Sequence, residues 1–161
     1  MYTCKHFHIY ELVDPTVYSA YRDRAWDMFD PKILMALDGV WEFFNPNILM
    51  SVDEAKKHVS VRVNNWFWGG HLQWRGLRTK VCKIGATKSE HRLLYYRNRP
   101  PHRCSAMDYD VQGMSAQDVR DQIVANQDNP LLQHITRLEK GTSWVHMDCK
   151  PVGRRIKVFM P

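Results

Sequence analysis

Two stretches of the chain alternate polar and apolar side chains over the length of a strand. In "SAMDYDV" (105–111), Ala106, Asp108 and Asp110 share one side, and Met107, Tyr109 and Val111 share the other. In "SWVHMD" (143–148), Trp144, His146 and Asp148 share one side, with Val145 and Met147 opposite. Successive side chains of a strand point to opposite faces, so a period of two commits both stretches to a sheet. The apolar sides are ordinary core faces. The polar sides put imidazole and carboxylate where a core face would normally be.

The rest of the chain supplies what such a sheet needs. "DPKILMALDGVWEFF" (30–44) predicts a helix: Asp30 suits the N-cap and Pro31 the first turn. Ile33, Leu34, Leu37, Val40, Trp41 and Phe44 follow the 3.6-residue period. A second helix is expected over 113–126, where Ser115 and Asp118 resemble a capping box. Further strands are expected at 58–64, 135–139 and 155–161, and loops at 11–18, 68–78 and 83–92. With 161 residues, 44% of them hydrophobic, and no linker or repeat, the chain reads as one α+β domain with two helices and a mostly antiparallel sheet.

Charge and cysteines exclude several classes. The net charge of +6 favours anionic partners, but the densest basic run is only "RNRPPHR" (97–103), so no nucleic-acid partner is expected. Cys4, Cys82, Cys104 and Cys149 lack CxxC spacing and read as reduced, buried thiols. "MYTCKHFHIY" has no apolar segment of the kind a signal peptide needs, and no apolar run approaches a membrane span. The chain is therefore expected to be made in the cytoplasm without a signal peptide.

The two polar strand faces, with His91 from the loop "SEH", offer two histidines and a choice of carboxylates. Two histidines and one carboxylate from separate elements are a common catalytic zinc set, with a fourth position open to water. Each residue also has an ordinary use. A lone strand histidine is usually structural, and a strand aspartate usually caps a turn or pairs with a base. By spacing alone, Asp108, Asp110 and Asp148 all remain open.

Taken in order, "SEH", "SAMDYDVQG" and "SWVHMD" resemble the signature of the M15-type zinc peptidases, the D-Ala-D-Ala carboxypeptidase and phage endolysin family. That family shares its fold with the Hedgehog signalling domain. Its pattern is SxHxxGxAxD, followed far downstream by WxH. Ser89 and His91 match SxH, Ala106 and Asp108 match AxD, and Trp144 and His146 match WxH. "RGLRT" (75–79) resembles the family's "SGyRt" segment, and "NNWFWGG" and "ELVDP" look like segments of phage-encoded members. The resemblance implies a Hedgehog/DD-peptidase-like fold, with an N-terminal helical part (1–57) and a metal-site core (58–161). It implies Zn²⁺ held by His91, Asp108 and His146, and Arg78 and Ser89 on the substrate side. It also implies hydrolysis of an amide bond in peptidoglycan stem peptides by a phage- or prophage-encoded protein. Such a protein would act at the cell wall after release or as part of a virion, with other phage proteins as partners.

Two departures qualify the match. Residues 92–107 separate His91 from Asp108, more than the pattern allows. The added stretch, close to "LLYYRNRPPHR", is expected as an exposed loop bordering the cleft, and a long loop costs little extra closure entropy. The family glycine falls on Cys104, and His102 becomes the runner-up first ligand. The acid that many members carry three residues before the last histidine is here Ser143. Glu139 is the expected general base, with Asp148 as the alternative or as an orienting partner of His146. Trp66, Trp68 and Trp74 are candidates for the cleft floor or for the core. The rival to an enzyme is a catalytically inactive binding or virion structural module on the same fold.

Overall fold

The computed structural model describes residues 1–46, 58–79, 82, 83, 89–96, 99–153 and 155–160, the side chains of 94–96 and 99–101 apart. Helix α1, Pro15–Tyr21, starts on Asp14, whose carboxylate accepts from the amides of Thr16 (2.8 Å) and Val17 (3.2 Å). This corrects the loop expected at 11–18. Asp14–Pro15 carries the same start signal as Asp30–Pro31 but lacks a long apolar run behind it, since Val17 alone of α1 is buried.

Helix α2, Pro31–Phe44, runs as expected, with Asp30 Oδ1 accepting from the Lys32 amide at 2.9 Å. Ile33, Leu34, Leu37 and Val40 are buried. Asn45 ends the helix and anchors the chain beyond it: its side chain donates to the carbonyls of Trp41 (2.8 Å) and Val59 (3.1 Å) and accepts from the Val59 amide (2.7 Å).

Among the described residues seven strands follow: β1 (Val61–Arg62), β2 (Leu94–Tyr96), β3 (Arg99–His102), β4 (Ala106–Val111), β5 (Arg137–Glu139), β6 (Val145–Asp148) and β7 (Lys157–Phe159). Strands β2 and β3 form an antiparallel hairpin, so the inserted stretch is not the plain loop expected there. The other five make one sheet in the order β1-β4-β6-β5-β7. Its β1–β4, β4–β6 and β6–β5 pairs are antiparallel, and β5–β7 is parallel. The domain is α+β with a mixed sheet and, among the described residues, three α-helices, one more than expected.

Helix α3, Ala116–Ala125, begins at Ser115, whose Oγ accepts from the Asp118 amide at 3.1 Å. Its Val119 and Ile123 join α2 and the sheet in one core. None of the four cysteines forms a disulfide among the described residues, and Cys82, Cys104 and Cys149 are buried.

Register decides which side chains meet. Asp108 pairs with His146, His146 with Glu139, and Glu139 with Phe159. Directly paired residues project from the same face. One step along, Ala106, Asp148, Arg137 and Lys157 form a parallel row. The opposite face carries Met107, Met147 and Leu138, all fully buried in the core. The sheet thus spends one face on packing and gathers its ionisable groups on the other.

Candidate metal centre

His91 lies in a turn that its own neighbours shape. Ser89 Oγ accepts from the His91 amide (3.3 Å), and the Ser89 carbonyl accepts from the Arg92 amide (3.0 Å). The ring is 1% exposed. Its Nδ1 stands 2.8 Å from the carbonyl of Gly76. A carbonyl only accepts, so Nδ1 carries the proton and Nε2 keeps a lone pair. The supporting loop passes so close to Leu12 that a Cβ on Gly76 would sit 2.0 Å from the Leu12 carbonyl oxygen. Only glycine allows that approach, which the Leu77 amide locks by donating to the same oxygen at 3.0 Å.

Three donor atoms converge. His91 Nε2 is 3.2 Å from Asp108 Oδ1 and 3.2 Å from His146 Nδ1, and His146 Nδ1 is 2.7 Å from Asp108 Oδ1. Donors roughly 2.0–2.1 Å from a tetrahedral zinc lie about 3.3 Å apart, close to these separations. His91 and Asp108 are buried, and the His146 side chain is 12% exposed. These three residues form a group able to hold a metal ion. Two imidazoles and one carboxylate are a donor set that suits zinc.

The three groups shift one another's ionisation. Burial pushes the His91 imidazole below its ordinary pKa, against the pull of Asp108. Burial also opposes ionisation of Asp108, but the two histidines outweigh it and hold the carboxyl well below the usual range. Burial works against the charged form of His146 as well, yet its hydrogen bond to Asp108 and the nearby Asp148 carboxylate raise it to about 9. A metal ion would take the place of the proton that His146 shares with Asp108.

A second tier surrounds these atoms. Arg78 donates to Asp108 Oδ2 (2.5 Å) and to the Trp74 carbonyl (2.7 Å), and its side chain is 11% exposed. Asp148 is fully buried, with one oxygen 3.7 Å from His146 Nε2. Arg137 clasps Asp148 with Nε (2.8 and 2.9 Å) and Nη2 (2.6 Å), and the Lys150 amide adds a further bond at 3.0 Å. Burial resists the Asp148 charge, but His146 and Arg137 overcome it and keep the pKa low. The guanidinium of Arg137 rests 4.8 Å above the Phe159 ring. Glu139 faces His146 across the β5–β6 pairing, half-buried, and its carboxylate binds no other described residue.

Other candidates fall outside the group. His102, the runner-up ligand, instead sets Nε2 3.1 Å from Glu90 Oε2. The same Glu90 oxygen accepts from Ser105 Oγ at 2.9 Å, and Lys150 lies 3.2 Å from the other oxygen. Asp110 is ion-paired with Arg75. Ser143 is exposed, and Trp144 is 37% exposed. Sequence reasoning missed Arg137 and the Gly76 carbonyl. Arg137 was findable, since it stands two residues before Glu139 on the same strand face. A backbone carbonyl supplied by a distant loop leaves no such signal.

Among the described residues, no helix is long and apolar enough to cross a membrane. No protein-family model, curated protein or solved structure matches this chain.

Proposed function

We propose that the chain is an M15-type zinc peptidase that hydrolyses an amide bond in bacterial peptidoglycan stem peptides. One observation carries the reading. His91 Nε2, Asp108 Oδ1 and His146 Nδ1, from a turn and two paired strands, meet within 2.7–3.2 Å, and a carboxylate, Glu139, stands directly across the sheet from His146. The ordered SxH, AxD and WxH segments support the family assignment, and a Hedgehog/DD-peptidase-like topology goes with it. A phage or prophage origin belongs to the same reading. The protein is then made in the host cytoplasm and reaches the wall after release or within a virion, beside other phage proteins.

The three convergent atoms would hold the ion. Bound there, zinc supplies Lewis acidity, which acidifies a water and polarises a carbonyl. The side chains do the rest. Glu139 takes the proton of the attacking water on its carboxylate and returns it to the leaving amine nitrogen. Asp148, with its oxygens already engaged by Arg137, orients His146 and does not act as the base. Arg78 fixes Oδ2 of Asp108, which turns Oδ1 toward the centre. Arg78 and Ser89 face the substrate, Arg78 toward a stem-peptide carboxylate.

A second reading has one observation in its favour. Ser143, where many family members carry an acid, is exposed and cannot take a proton at neutral pH. That suits a binding or virion structural module of the same fold without turnover. Metal analysis and digestion of purified peptidoglycan separate the two. About one zinc per chain is expected, with peptide release that stops on chelation and returns on zinc addition. Zinc without release favours the module, and a protein that takes up no zinc sinks the metal site itself.

A further inference from the structure

The turn Trp66–Trp68 leaves two aromatic rings in a row in solvent: Phe67 is 47% exposed and Trp68 61%. These rings are not loose. Phe67 stacks on Tyr10 with centroids 4.1 Å apart and planes within 14°. Trp68 stands nearly perpendicular to both, at 85° to Tyr10 and 87° to Phe67. Tyr18 meets Phe67 edge-on at 6.0 Å, and Trp66 braces the turn from below by donating from Nε1 to the Val13 carbonyl at 2.7 Å.

The backbone of the turn is fixed as well. Asn65 accepts from the Trp68 and Gly70 amides through its carbonyl, and from the Leu72 amide through Oδ1 at 2.9 Å. A Cβ on Gly70 would lie 2.2 Å from the Asn65 side chain, so a larger residue there would displace the Oδ1 that holds the Leu72 amide. An exposed and rigid aromatic corner of this kind is a surface prepared for a partner, because binding orders nothing further.

The chemistry of the corner selects the partner. A pyranose ring offers a flat face of C–H groups that packs on an aromatic face, while its hydroxyls turn outward to polar groups. A single-stranded nucleic acid also stacks on such rings, but it needs a basic track beside them. Among the described residues, Arg22, over Tyr18 at 4.7 Å, is the one cation centred on a ring of this cluster, and Glu11 neighbours Tyr10 in sequence. A single such cation is not the basic track that a nucleic acid needs, which favours a neutral polymer there whatever the +6 of the whole chain. The corner is also continuous with the metal centre. The same loop runs on to Arg75, to Gly76, whose carbonyl holds His91, and to Arg78, which holds Asp108.

We infer that Phe67 and Trp68, braced by a Tyr10 ring that Phe67 and His8 already stack against, form a stacking platform for the sugar rings of a neutral N-acetylhexosamine polysaccharide, which presents the attached peptide to the metal centre. That this polymer is the glycan strand of peptidoglycan rests on the peptidase reading. The probe is an oligomer of N-acetylglucosamine, titrated against the full chain with indole fluorescence as readout. Saturable binding is expected, weakened about tenfold or more in Trp68→Ala and in Phe67→Ala and largely restored in Trp68→Tyr. Circular dichroism of each variant checks its fold, and Phe67→Ala serves if Trp68→Ala does not fold. No binding by the unmutated chain, unchanged affinity in both alanine variants, or displacement of the sugar by single-stranded DNA overturns the platform. Cleavage of a soluble stem peptide, measured on the same preparation, keeps the two ideas apart. Cleavage without sugar binding sinks the platform alone, and sugar binding without cleavage sinks the peptidase alone.

Discussion

Two buried carboxylates in this molecule have opposite surroundings. Asp38, in α2, is 2% exposed and accepts from the Tyr2 hydroxyl (2.7 Å) and the amides of Lys5 (2.9 Å) and His6 (3.2 Å). Asp108, in β4, is 3% exposed and faces Arg78 and two imidazoles. The first acid is saturated by donors fixed in the chain, which pin the N-terminal segment onto the helix. The second is surrounded by rings whose protons can leave, and their lone pairs then point at a common centre. Burial alone does not separate structure from chemistry. The kind of partner does.

The most severe test of that contrast is on the reacting side. If the Asp108 face is a catalytic surface, Glu139→Gln is expected to lower turnover by roughly 10²–10⁴ while zinc stays bound. Asp148→Asn is then the milder change. Full activity in Glu139→Gln with loss in Asp148→Asn would exchange the two roles.

Next in size is the pair of acids itself. Removing Asp38 strands the Tyr2 hydroxyl and the amides of Lys5 and His6, so Asp38→Ala is expected to cost about 2–4 kcal/mol in chemical denaturation. Asp108→Ala is also expected to destabilise, because it leaves the Arg78 cation without its buried partner. The two should differ in their response to zinc. Added zinc should raise the melting temperature of the unmutated chain and of Asp38→Ala, by binding the folded state alone, and leave Asp108→Ala unmoved. A lost zinc response in Asp38→Ala would erase the distinction between the two sites.

Much of this arrangement was legible in the sequence. A period of two fixed the faces of β4 and β6, so Asp108 and His146 could be placed on a common side before their register was known. The register itself was not legible. That Glu139 lies opposite His146 depends on how the turn after β5 closes, and one residue of slip would have sent it to the core face. Helix α2 was readable because its cap and its apolar stripe agree. Helix α1 was not, because its cap stands before only two turns of chain with one buried residue. The hairpin β2–β3 hid for another reason: its sequence, "LLYYRNRPPH", carries two prolines that argue against a strand. Expected structure that falls within 47–57 or 84–88 lies outside the described residues.

Asp148→Asn tests how far the contrast extends outward. Arg137 loses the anion that its Nε and Nη2 clasp, and the amide turns one donor toward a group that already donates. Metal affinity is expected to fall by about 10–100-fold, the usual cost of losing a partner that orients a ligand. Arg137→Leu should reproduce part of the loss through the same route. Unaltered affinity in both would mean that His146 is held by its strand and by Asp108 alone.

The smallest expected effect is at His102, and it bears on which histidine completes the centre. His102 closes the β2–β3 hairpin and touches Glu90, the residue before His91, so its position in sequence and space makes it a credible rival. Its contact, however, is a single partner at 3.1 Å on a side chain 31% exposed, where solvent competes with the bond. Pairs of that kind contribute roughly 0–1 kcal/mol. Glu90 also keeps Ser105 and Lys150 when the imidazole is removed, so its carboxylate is not stranded. His102→Ala is therefore expected to bind zinc with unchanged stoichiometry and to unfold within about 1 kcal/mol of the unmutated chain. His91→Ala, by contrast, removes the Nε2 that stands 3.2 Å from both other donors, and zinc retention should fail. If the two variants exchange these outcomes, the hairpin histidine is the ligand, and the buried His91 becomes a structural ring held by Gly76.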